Sequence, residues 1–285
     1  MSEPNTNTTE EFVLTDDNYY SDEANAIYLS NSTFKNVYGH PAHPHPCEAA
    51  AIYGEKIETD ALIIGSYVDA YFEGKKAFEE WCEKNKDKIY QKNGKPYQMF
   101  KDADAAIQRV EKDPVFMKYV GGGNHQTIMT GEIAGHKFKI KMDAYHPGEM
   151  IVDLKYVKSA GGDWNDTLKK HTTFIEEYGY AIQGAIYQEI VYQNTGLRLP
   201  FFIGYITKEK VTDVGPVPDF DVIELPQEML DEALEFVKIH LTAKPYNIIK
   251  ANPKACGKRS CPYCRDRKTL TGPTEYAVFE QSVCS

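Results

Sequence analysis

Asp143, Asp153 and Lys155 are the residues of this 285-residue chain best placed to do chemistry. Two carboxylates held close together repel, and a hard divalent cation such as Mg²⁺ between them relieves the repulsion while keeping water ligands for hydrolysis. A lysine two residues beyond the second acid shares its face on a strand and can reach a water or phosphate oxygen at that ion. Ile151, Val152 and Leu154 surround Asp153 with apolar groups, which marks a buried strand and sets these charges apart from a solvated surface.

The stretch HKFKIKMDAYHPGEMIVDLKYVKS, His136 to Ser159, has to position them. Phe138, Ile140 and Met142 alternate with Lys137, Lys139, Lys141 and Asp143, the period-2 pattern of a half-buried strand. His146-Pro147-Gly148-Glu149 reads as a turn, because proline presets φ and glycine accepts positive φ. Met150 to Val157 is the second strand. Centring the hairpin on Gly148 sets Asp143 directly opposite Asp153, with Cβ atoms roughly 4.5–5.5 Å apart. Thr127 to Ile133 supplies a preceding strand that turns at Ala134-Gly135. A one-residue slip there exchanges its faces, so either Gln126 or Glu132 could face the ion.

Asp143, a turn, and then Ile151-Val152-Asp153-Leu154-Lys155 resemble the core of the PD-(D/E)XK nucleases. More narrowly, the chain resembles phage and prophage exonucleases of the exonuclease VIII type, in the group that includes lambda exonuclease and recombination nucleases. The resemblance spans about Leu29 to Arg267. It implies an α/β fold, a mixed central β-sheet flanked by helices as in restriction endonucleases, followed by a Cys-rich C-terminal segment. It also implies a Mg²⁺- or Mn²⁺-dependent DNA exonuclease acting on double-stranded DNA ends, with Asp143, Asp153 and the Leu154 carbonyl on the ion and Lys155 positioning or deprotonating the attacking water. The context it implies is phage recombination, with a single-strand annealing recombination protein as partner and homo-oligomerisation left open. A non-catalytic DNA-binding module or an endonuclease on the same fold are the alternatives.

Two further segments enter through that resemblance. Thr59 to Phe72 reads as a helix apolar enough to be buried, on which Asp69 is anomalous, since a buried carboxylate is costly unless paired or metal-bound. Gly65-Ser66-Tyr67-Val68-Asp69 matches the family's Gly-x-x-x-His helix with Asp in place of His, which implies Asp69 as a further metal ligand. A long helix from about Thr172 to Asn194 places Gln183 and Tyr187 four apart on one face. They match the family's Gln-x-x-x-Tyr motif, which implies contacts with the metal-site water, the catalytic residues or DNA phosphate.

Cys256, Cys261 and Cys264 cluster near the C-terminus, a spacing that suggests metal ligation rather than a disulfide framework. Tetrahedral zinc and an iron–sulfur cluster both want four ligands. The resemblance implies a [4Fe–4S] cluster joining Cys47 to these three; zinc with Cys47 or His45 as fourth ligand is the alternative. His40, His43 and His45 alternate with prolines and lead into Cys47, while Cys82 and Cys284 have no visible partner.

At 42% hydrophobic the chain can bury a large core, and it divides into an acidic flexible N-terminal arm at 1–27, a nuclease domain at 28–249, and a basic Cys-rich segment at 250–285 packed back on the domain. A formal net charge of −10 argues against DNA binding by the whole surface but allows a local basic groove, for which Lys137 to Lys155 and Lys250 to Lys268 supply charge. No run approaches a membrane span and the N-terminus is polar and acidic, which gives a cytoplasmic, non-membrane reading. Gly121-Gly122-Gly123 lacks the flanks of a phosphate loop.

Overall fold

Alternating apolar side chains build the sheet that everything else covers. The computed structural model describes residues 12–55, 58–208, 217–247, 252–258, 261–270, 272–273 and 275–276. Three antiparallel strands come first: β1 (Asn124–Ile133), β2 (His136–His146) and β3 (Met150–Val157). The β1–β2 turn places Ala134 and Gly135 at φ 49° and 75°, the paired positive values of a tight hairpin turn. A small hairpin, β4 (Gly161–Asn165) with β5 (Lys170–Thr173), stands apart. β6 (Phe201–Thr207) then returns parallel to β3, and β7 (Phe220–Glu224) pairs antiparallel to β6, giving one mixed sheet in the order β1-β2-β3-β6-β7.

Helices cover both faces. In chain order they are α1 (Asp22–Ile27), α2 (Asn31–Tyr38), α3 (Glu48–Tyr53), α4 (Asp60–Glu73), α5 (Lys75–Lys84), α6 (Lys86–Ile89), α7 (Gln98–Val110), α8 (Pro114–Val120), α9 (Phe174–Glu177), α10 (Tyr180–Thr195), α11 (Gln227–Ala243) and α12 (Pro262–Asp266). α2, α10 and α11 close one face around Phe138, Ile140, Ile151, Ile186, Phe201 and Val237. α4, α7 and α8 close the other around Val68, Phe100, Ile107, Phe116, Val152 and Leu154. The fold is therefore α/β with a five-stranded mixed sheet between helical layers, as the sequence implied. No helix among the described residues is long and apolar enough to cross a membrane.

Two expectations need correction. The helix expected from Thr172 to Asn194 is two helices, because Thr173 still belongs to β5 and caps α9 through a reciprocal pair with Glu176, and Gly179 at φ 60° breaks the chain before α10. The N-terminal arm, expected to be flexible through residue 27, is structured where it is described. Ser21 caps α1, Tyr19 is buried, and Lys139 of β2 is buried beneath this segment, its ammonium donating to the Tyr19 carbonyl and, at 2.9 Å, to Asn25 Oδ1. A lysine buried in this way needs acceptors, and residues 19–25 provide them. Residues 1–11 and Cys284 lie outside the described residues.

Candidate active site

The sheet is opened where Asp143 and Asp153 meet. β2 and β3 pair at His146↔Met150, Tyr145↔Ile151 and Ala144↔Val152, and one more step of that register brings Asp143 across from Asp153. The ladder stops there. On the other side of β2 the paired positions skip Gln126, which sits at φ 52°, so a rung is missing beside Asp143 as well. Freed of both ladders, the Asp143 carbonyl accepts from His125 Nδ1 at 2.8 Å, and its carboxylate Oδ2 accepts the Leu154 N–H at 2.8 Å. A side chain thus replaces a backbone rung, and the strands part around two acids.

A cleft of about 310 Å³ occupies the opening. Asp143, Asp153 and Lys155 line it from the sheet, Gln183 and Tyr187 from α10, and Ser66, Asp69, Ala70 and Glu73 from α4. The α4 residues recur at three- and four-residue intervals, one stripe of a helix. Gln126, Lys141, Tyr20 and Trp81 complete the wall. The register question is resolved in favour of Gln126; Glu132 is exposed and its backbone N–H donates to Gln193.

Contacts within the cleft are short and specific. Gln183 Nε2 donates to Asp153 Oδ1 at 2.5 Å, and Lys155 Nζ forms an ion pair with Asp153 Oδ2. Lys155 Nζ also donates to the Leu154 carbonyl at 3.1 Å, and Tyr187 Oη donates to the Lys141 carbonyl at 3.0 Å. Lys141 Nζ pairs with Asp16 at 3.0 Å, so the structured part of the arm reaches the rim.

Electrostatics follow from crowding. Burial, reinforced by the charges of Asp153 and Asp69, holds the Asp143 carboxyl well above the usual carboxylate range. Asp69 is pushed up to about 7, first by burial and then by Asp153 and Glu73, with Lys155 opposing. Burial alone would pull the Lys155 ammonium down, but Asp153 and Asp143 more than offset it and hold it above the ordinary lysine range. Ionising all three carboxyl groups beside one such lysine would bury an excess of negative charge, which a cation would offset. Their hard oxygens suit a divalent cation of the Mg²⁺ class, and the donor set therefore fits such an ion.

The sequence reading missed Tyr20, Ser66, Glu73, Trp81 and Lys141 as cleft residues. Glu73 and Ser66 were open to inspection, being four residues after and three before Asp69 on one helix. Lys35, which does not line the cleft, is coupled to its charges. It is drawn down to about 8, mainly by burial and then by Lys155; its Nζ donates to the Tyr178 carbonyl at 2.8 Å and lies 5.2 Å from the Tyr180 ring, as does Lys155 Nζ. Nothing in the sequence separates it from other surface lysines.

Away from the cleft the structure brings Cys47, Cys256, Cys261 and Cys264 together, their sulfurs all within 4.8 Å of one another. His45 is exposed and outside this group, and Cys82 is a half-buried free thiol on α5. His40 and His43 stack edge to face, with His43 Nε2 2.8 Å from Glu177.

Comparison with known proteins places the chain in a family. Residues 30–267 match the family described as a PDDEXK-like domain of unknown function. A solved structure from Eubacterium rectale, described as a "Putative exonuclease", is 38% identical, covers 94% of this chain and 98% of its own, and superposes with a TM-score of 0.84. A second solved structure, SSO0001, is 12% identical over 74% of this chain and 90% of its own, with a TM-score of 0.27, too low to bear on the fold. No curated protein matches. The chain belongs to the PDDEXK-like family.

Proposed function

We propose that this member of the PDDEXK-like family is a metal-dependent deoxyribonuclease that hydrolyses phosphodiester bonds at the ends of duplex DNA. The observation that carries the reading is the convergence of Asp143, Asp153, Lys155 and Gln183 from three separate elements on one cleft where the sheet is parted. The similarity to the Eubacterium rectale protein supports an exonuclease over other reactions of the fold.

Asp69, Asp143, Asp153 and the Leu154 carbonyl would hold Mg²⁺ or Mn²⁺, which lowers the pKa of a water and neutralises charge developing on phosphate. The chain's own groups do the rest. Gln183 fixes one oxygen of Asp153 and so leaves the other to Lys155. Lys155, whose Nζ lies against Asp153 and donates to the Leu154 carbonyl, positions the attacking water and stabilises the developing negative charge. Lys141 at the rim is a phosphate contact once Asp16 gives way. The single strands released would suit a recombinational annealing protein of phage type as downstream partner.

Digestion of end-labelled linear duplex, compared with covalently closed plasmid, tests this. Mg²⁺-dependent shortening from the ends, abolished by EDTA, with the closed circle intact is the expected result. Cutting of the closed circle would replace the reading with an endonuclease, and binding without cleavage would replace it with a DNA-binding module.

A further inference from the structure

The four cysteines remote from the carboxylate cleft do not fit the cluster that the exonuclease VIII-type resemblance implies. Cys47 is the N-cap residue of α3, and its sulfur accepts the Cys256 N–H at 3.4 Å. Cys264, on α12, has its Sγ 3.6 Å from that of Cys47 and 3.7 Å from that of Cys256. No pair among the described cysteines is a disulfide. Four thiolates bound at about 2.3 Å to one tetrahedral ion lie about 3.8 Å apart. In a [4Fe–4S] cubane each thiolate sits on a different iron, which spreads the sulfurs to about 6 Å, with the inorganic sulfides between them. A tetrahedron whose sulfurs all lie within 4.8 Å has no room for that core.

We propose that Cys47, Cys256, Cys261 and Cys264 form a closed, mononuclear tetrathiolate site for zinc, and that this ion fastens the C-terminal segment to α3. Four protein ligands leave no open position for a water, so the site is structural. The need for a metal is visible in the packing. None of the described residues between 252 and 270 is buried, so little apolar burial holds the described part of this segment in place. Polar ties flank the site: the Ala49 N–H donates to the Lys254 carbonyl at 3.1 Å, and the Lys254 N–H donates to Glu48 Oε2 at 3.1 Å. Glu48 Oε1 also receives Lys244 Nζ at 2.5 Å. These ties bring the segment's cysteines to Cys47, where an ion completes the attachment.

The test uses the full chain purified anaerobically without added metal, and reads composition before activity. One zinc per chain is expected, with neither iron nor acid-labile sulfide and no visible absorption. Organomercurial titration should release that zinc as four thiols are blocked, after EDTA has cleared the carboxylate cleft. Cobalt-loaded protein should show the intense visible bands of a tetrahedral thiolate complex. About four irons and four sulfides per chain would overturn the proposal. So would a single iron without sulfide, which would keep the geometry but reject zinc, and so would metal-free protein with four freely alkylated thiols. Cys261→Ser should lose the ion and leave the segment open to protease. If that variant fails to fold, the metal content and mercurial release of the native chain decide. None of these readouts passes through Asp143 or Asp153, so an inactive nuclease carrying one zinc would sink the proposed function and leave this site standing.

Discussion

Gln183 and Asp153 share a hydrogen bond of 2.5 Å from the amide nitrogen to Oδ1, joining the first turn of α10 to the middle strand of the sheet. Asp153 is almost fully buried, and its other oxygen is committed to Lys155. Gln183 is thus a positioning residue: it leaves the carboxylate one orientation instead of two.

Gln183→Ala should therefore weaken metal dependence more than it weakens the fold. Loss of a hydrogen bond behind a metal-binding carboxylate typically lowers metal affinity or activity about 10–100-fold. The check is cleavage rate against Mg²⁺ concentration, where the half-saturating concentration should rise. An unchanged curve would mean that Asp153 is oriented without the glutamine.

Asp153→Ala and Lys155→Ala should each lower cleavage by about 10²-fold or more, since each removes charge stabilisation aimed at the transition state. The two should differ in binding. Loss of Asp153 removes an ion ligand, whereas loss of Lys155 leaves an excess of carboxylates and should tighten a bare divalent cation. Calorimetric titration with Mn²⁺ separates them, and equal weakening in both variants would contradict these roles.

Two helical glycines should respond to alanine with opposite signs. A Cβ on Gly184 would meet Phe201 Cδ1 at 2.7 Å and Leu230 Cδ2 at 2.9 Å. Overpacking of that kind typically costs about 1–3 kcal/mol, which exceeds the roughly 1 kcal/mol gained in helix propensity. Gly65 in α4 has nothing within 4 Å of its added Cβ, so Gly65→Ala should stabilise by about 0.5–1 kcal/mol. Urea unfolding of both variants tests the pair; two shifts of the same sign would refute the packing argument at one site.

Stability should decline on acidification through His40. Burial, with help from His43 and Lys35, lowers this imidazole from 6.5 to about 4, and its Nδ1 has no hydrogen-bond partner among the described residues. Between those values the unfolded chain binds a proton that the native state refuses, so stability is fully present above pH 6.5 and falls as pH drops toward 4. His40→Gln should flatten that slope relative to the native chain. Thermal melts from pH 7 to 4 give the measurement, and parallel curves would assign the acid loss to other groups.

The pairing of Asp143 with Asp153 was legible by counting from Gly148, because a hairpin's register is fixed at its turn and both acids lie close to it. β6 is a strand buried on both faces, and its sequence FFIGYIT is the continuous apolar run such a strand requires. What escaped was set by partners remote in sequence. Lys139 looked like one of three alternating surface lysines, and only the arm's return over β2 buries it. The same holds for Lys35, which owes its burial partly to Tyr180. The break at Gly179 was locally available, for a left-handed glycine ahead of an apolar helix is a recognised boundary, but the apolar periodicity across it hid the signal.

The clamp between Cys47 and Cys264 carries a consequence for the order of events on the ribosome. Every group lining the cleft lies between Tyr20 and Tyr187, so the carboxylate centre is fully synthesised well before Cys264 emerges. β6, β7 and α11, which complete the sheet and the core around those acids, also precede Cys256, so only the last three thiolates remain to be made once the fold's elements exist. Domains generally begin to fold as they are made, N-terminal part first. Metal occupancy at the cysteines would then report on the segment that carries Cys256, Cys261 and Cys264, independently of the cutting residues.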